Sequence, residues 1–261
     1  MTRTRRKAFS LVELSIVLVI LGLLTGGILA GQSLIRAAEL RSVSTDYQRY
    51  RAAMFAFRDK YFALPGDMNN ATAFWGAQNA TPATCQTTAS SSALTCDGNG
   101  DNSIGDSSAY YERFRFWQHL ANAGLIEGQY NGVSGSGSAY DATIGTNVPR
   151  SRIANAGFSV IGKGTAPTGD ANFFPGYFGN ILTFGAKRVN DITVDPILKP
   201  EEAWNIDSKL DDGLPGTGFV QSMISTAAVA PGCTTTAVSS TSTYALNSTG
   251  TLCNLILKTG T

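Results

Sequence analysis

The chain reads as an α+β protein, a long N-terminal helix followed by a domain built on a small antiparallel sheet with loop insertions. Three observations predict this. No charged residue occurs from Leu14 to Ile35, and almost every side chain from Leu14 to Gly31 is apolar. A helical stripe continues beyond, with Leu40, Val43, Tyr47, Tyr50, Met54, Phe57 and Tyr61 spaced alternately three and four apart. After Pro65 the pattern becomes short-ranged, with β-branched and aromatic runs set between Gly, Ser, Thr and Pro turns.

The helix should run from Phe9 to Phe62. Arg41, Asp46, Arg49, Arg51 and Arg58 fall off the stripe, so Leu40 to Tyr61 reads as a face packed on the globular domain. "FALPGD" ends it, because Pro65 disfavours helix at Leu64 and Gly66 makes a turn. Further on, "SSAYYERFRFWQHLANAGLIEG" predicts a helix from about Ser108 to Ala123, started by a serine cap and stopped at Gly124. Its apolar face is Tyr111, Phe114, Trp117 (or Leu120) and Ala121, which puts His119 on the surface or at the edge of the core. "VSGSGSA" reads as a flexible connection. "GFSVIGKG" and "GYFGNILTFGAK" read as strands, "KPEEAWNIDSKLDDG" as a helix begun at Pro200, "DDGLPGTG" as a turn, and "GFVQSMI" as a returning strand. A short apolar "LILK" closes the pattern.

Composition narrows the function classes. The net charge is +1, but Arg3, Arg5, Arg6 and Lys7 lie in the first eight residues, and the remainder carries −3. No basic face is left for a nucleic-acid backbone, so no nucleic-acid partner is expected. The four cysteines, Cys85, Cys96, Cys233 and Cys253, form no C-x-x-C, and His119 is the single histidine, which argues against zinc. Two local disulfides, Cys85–Cys96 and Cys233–Cys253, suit their Ser/Thr-rich loops, although sequence leaves the other two pairings open. Disulfides imply an oxidising compartment, hence an exported domain. No nucleophile elbow, H-E-x-x-H helix or phosphate-binding glycine loop occurs, so an enzyme is not expected.

Eighteen helical residues rise about 27 Å, close to the hydrocarbon thickness of a bilayer. The basic cluster before the span predicts the N-terminus in the cytoplasm and the bulk of the chain outside. A cleavable secretory signal or a plain signal anchor would share these features, but neither explains Glu13 inside the apolar run. A carboxylate kept there calls for a partner.

"KAFSLVELSIVLVILG" resembles the cleavage and methylation signature of type IV prepilins and type II secretion pseudopilins. The resemblance covers about the first thirty residues. It implies a basic leader, residues 1–8, cut between Ala8 and Phe9 by a prepilin peptidase that also methylates Phe9. Glu13 is then the fifth residue of the mature chain, as in the family. The family's pattern has glycine where Ala8 stands; alanine is also small, which predicts slower but surviving cleavage. The resemblance further implies a transmembrane and assembly segment (9–31), a second helix half packed on the globular domain (32–62), and an extracytoplasmic domain (63–261). It implies a pilin-like fold, an inner-membrane assembly platform with its ATPase, and other pilin-like subunits as partners. In the membrane, and then in a filament, Glu13 would neutralise the Phe9 amine of a neighbour and so set register. Gly22 and Gly26, then Gly27 and Gly31, offer either close helix contact or a stretch that melts on assembly.

Two acidic loops are candidates for calcium, although no cofactor is required for such a role. In "CDGNGDNSIGDSS", Asp97, Asn99 and Asp101 with the Ser103 carbonyl stand at positions 1, 3, 5 and 7 of a cation-wrapping loop. Asn102 stands where such loops have glycine, Ser108 where they have an acid, and Glu112 comes four residues late. Asp207, Asp211 and Asp212 form a weaker second set. The alternative function is a minor tip subunit acting as an exported adhesive or binding module.

Overall fold

The computed structural model describes residues 10–105, 112–223, 232–236 and 242–261. The chain divides into two compact units, Met1–Arg41 and Ser42–Thr261. Helix α1 spans Leu11–Tyr61, and its residues from Ser42 onward belong to the second unit.

In the first unit the apolar side chains of α1 are exposed from Leu11 to Ile35, and no part of its most apolar 18-residue window is buried. The hydroxyls along it are satisfied locally. Ser15 donates to the Val12 carbonyl, Thr25 to those of Leu21 and Gly22, and Ser33 to that of Ala30. A lipid-facing helix requires just this, since hydrocarbon offers no hydrogen-bonding partner. A helix of this length with an unburied apolar surface is compatible with membrane anchoring.

In the second unit the predicted stripe is the buried face of α1. Val43, Tyr47, Tyr50, Met54 and Phe57 are buried, joined by Ala53, while Tyr61 at the end is half-buried. Tyr50 meets Trp117 and Phe158 edge-on at centroid distances of 5.0 and 5.2 Å. The Tyr47 hydroxyl donates to the Lys258 carbonyl at 2.7 Å and Arg51 Nε to the Thr259 carbonyl at 3.1 Å, pinning α1 to the C-terminal strand.

The sheet is antiparallel throughout: β1 (Ala156–Ala166), β2 (Gly176–Lys187), β3 (Thr193–Asp195), β4 (Val220–Gln221) and β5 (Leu255–Lys258). The order is β1-β2-β5-β4, with β3 also on β2. Phe158 lies opposite Phe184, and Phe184 opposite Leu255, in the layer that meets Tyr50. Ile181 and Ile256 point the other way, into a cluster with Phe173, Phe178, Ile192, Val194 and Met223. Both faces are covered, which is why β2 reads as a nearly continuous apolar run.

Four shorter helices occur among the described residues, α2 (Ala71–Trp75), α3 (Pro82–Cys85), α4 (Glu112–Asn122) and α5 (Pro200–Leu210), with α4 packed on β1 and α5 on β4. Helix α4 corrects the expected pattern. Every residue from Glu112 to Leu120 is buried, so it has no solvent face. His119 is wholly inside, 0% exposed, and not at the core edge. Tyr111 and the Ser108 cap lie outside the described residues. Gly124, at φ +71°, ends the helix as expected. "VSGSGSA" is no loose connection either. Gly135 N–H donates to the Asp141 carbonyl and Gly137 N–H to its carboxylate, which also pairs with Lys187 at 3.0 Å. Helices α2 and α3 and strand β3 are too short to leave a periodic trace in sequence.

Candidate functional site

Two regions hold the residues singled out by sequence, the start of α1 and an acidic loop of the globular domain. At the start of α1, the Ser10 N–H donates to Glu13 Oε2 at 2.9 Å, and the Val12 N–H donates to Ser10 Oγ at 3.3 Å. Ser10 thus caps the helix start through the Val12 N–H, and the Glu13 side chain reaches back to the Ser10 N–H, so two donors at the helix start are satisfied. This local role for Glu13 was missed, although S-x-x-E before an apolar run is its signature. Glu13 itself is exposed. One carboxylate oxygen is held by Ser10, so Glu13 is pre-aligned at the first turn while presenting charge outward. Ala8 and Phe9 lie outside the described residues.

Gly22, Gly26, Gly27 and Gly31 lie in unbroken helix, and a methyl group added at any of them would meet nothing within 4 Å. In the lone chain they are open surface.

The loop after Cys96 is organised differently from the cation loop expected. The Asp97 carboxylate turns to α2, where it accepts the Thr72 N–H at 2.7 Å and the Thr72 hydroxyl at 3.0 Å. Asn99 and Asp101 stay together, Asn99 Nδ2 donating to Asp101 Oδ2 at 2.9 Å. Ser103 donates its N–H to the Asp101 carboxylate. The missing acids come from elsewhere. Buried Asp67 accepts N–H bonds from Gly100, Asp101 and Asn102, and Glu112 accepts them from Asn99 and Gly105. Asp67, Asp101 and Glu112 bring one carboxylate oxygen each within 4.8 Å of one another. Asn102 adopts φ +66°, the left-handed turn expected at its position. Asp67 had no signal in sequence beyond its place in the "LPGD" turn.

Burial pushes the Glu112 carboxyl up to about 7, against the opposing pull of its two N–H bonds, and Asp67 is also raised by burial. Among the described residues no Lys or Arg pairs with the three acids. The donor set is all oxygen and suits a hard cation, but loop N–H groups already occupy every carboxylate. The second set behaves similarly. Asp207, with Asp211 and Asp212 near it, is buried, accepts the Gly213 N–H and the Tyr244 hydroxyl, and is pushed by burial up to about 7. Asp211 accepts the N–H groups of Phe219 and Val220, and Asp212 accepts the Thr217 hydroxyl. Both clusters tie loops through backbone donors.

The sulfurs pair Cys85 with Cys96 and Cys233 with Cys253. A buried polar chain on α4 supports the first bridge. Arg115 donates to the Cys85 and Thr88 carbonyls and to Gln118 Oε1. Thr95 Oγ1 donates to the same Gln118 oxygen and lies 2.9 Å from His119 Nε2. Because Gly66 N–H donates to His119 Nδ1, the imidazole proton belongs on Nε2. Burial, with Arg115 adding to it, lowers His119 to about 3, so it is a neutral structural link.

Residues 3–29 match the prokaryotic N-terminal methylation motif. No curated protein and no solved structure matches the chain. The motif match, the apolar helix and the placement of Glu13 in its first turn agree with one another. The chain carries the N-terminal signature of type IV prepilins and type II secretion pseudopilins.

Proposed function

We propose that the protein is a structural subunit, not an enzyme, that polymerises through its N-terminal helix into a type IV pilus or a type II secretion pseudopilus. A prepilin peptidase first cuts between Ala8 and Phe9 and methylates the new amine. Residues 9–31 then hold the subunit in the inner membrane, with the globular domain outside, until the assembly platform and its ATPase add it to other pilin-like subunits.

The observation that carries this reading is a methylation motif on a helix whose first half, from Leu11 to Ile35, exposes its apolar side chains and holds a single carboxylate, Glu13, in the first turn. Such a surface must be covered by lipid or by other helices. The Phe9 amine and Glu13 each cost free energy if left alone in an apolar setting, and a neighbour's opposite charge offsets it. The mature chain of 253 residues is long for a main repeating pilin, which favours a minor or pseudopilin subunit; insertions in surface loops are the competing account of the length. Calcium at Asp67, Asp101 and Glu112 is a further element of the proposal, supported by three converging oxygens without a cationic partner; it would fasten the loop, not drive assembly.

Intact mass and N-terminal sequencing of the membrane-extracted chain test the processing step. The expected result is a protein beginning at Phe9 and carrying one methyl group. A chain beginning at Met1, or one cut near "ILAGQS" as an exported signal peptide would be, refutes it.

A further inference from the structure

Helix α2, the segment before α3 and the loop after Cys96 enclose a cleft of about 440 Å³. This lies within the range of about 300–1,000 Å³ typical of small-molecule sites. Its polar lining is Asn69, Thr72, Asn79, Gln86, Asp97 and Asn99. No Lys, Arg or His contributes, which disfavours phosphate, nucleotide and acidic peptide. Its apolar lining is small, Ala77 and Ala80 with the Cys85–Cys96 bridge, which disfavours a large hydrophobic ligand. The one carboxylate, Asp97, is already bonded twice to Thr72, so a bare cation gains little.

The amides differ in what they leave open. The Asn69 side chain is exposed and makes no hydrogen bond within the described chain. Asn79 spends its oxygen on the Thr81 N–H and keeps its two N–H donors. Gln86 is 5% exposed, donates to the Asp97 carbonyl and leaves Oε1 without a partner. Planar amide groups beside a carboxylate, with methyl groups between them, match neighbouring hydroxyls and C–H faces of a neutral polyol. The disulfide and the two Thr72–Asp97 bonds hold that lining in place before anything binds, which reduces the ordering cost.

We infer that this cleft is a binding site for a neutral saccharide, so that the globular domain recognises uncharged glycan. The inference stands apart from polymerisation, and its test reads binding alone.

The full-length protein in detergent is applied to an array of neutral glycans presenting glucose, galactose, mannose and N-acetylglucosamine termini, with EDTA present to remove any metal contribution. At least one terminus should be retained. Asn69→Ala should weaken retention about tenfold, the effect of one lost hydrogen bond in a small site. Asn79→Asp keeps the oxygen that accepts from Thr81 but removes the free donors, and should weaken it similarly at unchanged melting temperature. Retention of none of the four termini, or retention that both substitutions leave intact, overturns the inference.

Discussion

Three buried ionisable groups in the globular domain have protonation fixed by burial, and they make stability depend on pH in opposite senses. Glu112 and Asp207 have folded values near 7, above their unfolded ones. Each therefore contributes stability that is fully present below about pH 4 and is lost as pH rises through 7. His119 is depressed to about 3, so the unfolded chain gains its proton first and stability is lost as pH falls below about 6.5. Between about pH 5 and 6.5 two acids oppose one imidazole, and the net expectation is stability that falls as pH rises. Replacing Glu112 with Gln removes one acid, and the slope of unfolding free energy against pH should flatten by about 1.4 kcal/mol per unit in that window. Calcium at about 1 mM, the affinity range of extracellular modules, should hold Glu112 ionised, and the rise in melting temperature it gives should grow from pH 5 to 8. Denaturant melts across pH read both effects. An unchanged slope in the variant contradicts the placement of Glu112, and equal melting with calcium and with EDTA at pH 8 removes the metal.

At the scale of elements, the first half of α1 makes its own prediction. A methyl at Gly26 meets nothing in the lone chain, and alanine favours helix by about 1 kcal/mol over glycine. Gly26→Ala should therefore leave membrane accumulation intact while lowering filament incorporation, whether the glycine serves close helix packing or melting on assembly. Incorporation at the unsubstituted level would leave Gly26 without an assembly role. The elements legible in sequence were those with a long period. The α1 stripe from Val43 to Phe57, the β1–β2 pair and the Pro200 start of α5 all announced themselves through spacing or breaker residues. Helix α4 misled because its polar residues look like a solvent face. Glu112, Arg115, Gln118 and His119 instead face loops whose backbone groups they satisfy, and loop partners leave no periodic mark. The same cause hid the acidic cluster. Asp97, Asn99 and Asp101 have the spacing of a cation loop, but Asp67, brought in from 30 residues earlier, takes the inward position while Asp97 faces Thr72. At the N-terminus the S-x-x-E spacing of Ser10 and Glu13 marks the helix start, where the two side chains accept the Val12 and Ser10 N–H groups.

For the molecule as a whole, the division of labour lies between its two compact units. The first carries the processing motif and an apolar helix surface that the chain does not cover for itself. The second has its own core on both sheet faces and two disulfides, and has no need of the first half of α1 to bury its apolar residues. In the proposed assembly the decisive contact is made by Glu13. The Ser10 N–H orients that carboxylate within its own chain, and the proposed partner is the amine left at Phe9 of the next. The most direct measurement compares filament incorporation of Glu13→Leu, Glu13→Asp and Ser10→Ala subunits expressed at equal membrane levels. Loss of charge in Glu13→Leu should abolish incorporation, Glu13→Asp should retain a reduced share, and Ser10→Ala, which removes only a cap worth about 1 kcal/mol, should assemble nearly normally. Incorporation of the Glu13→Leu subunit at the unsubstituted level would contradict the account.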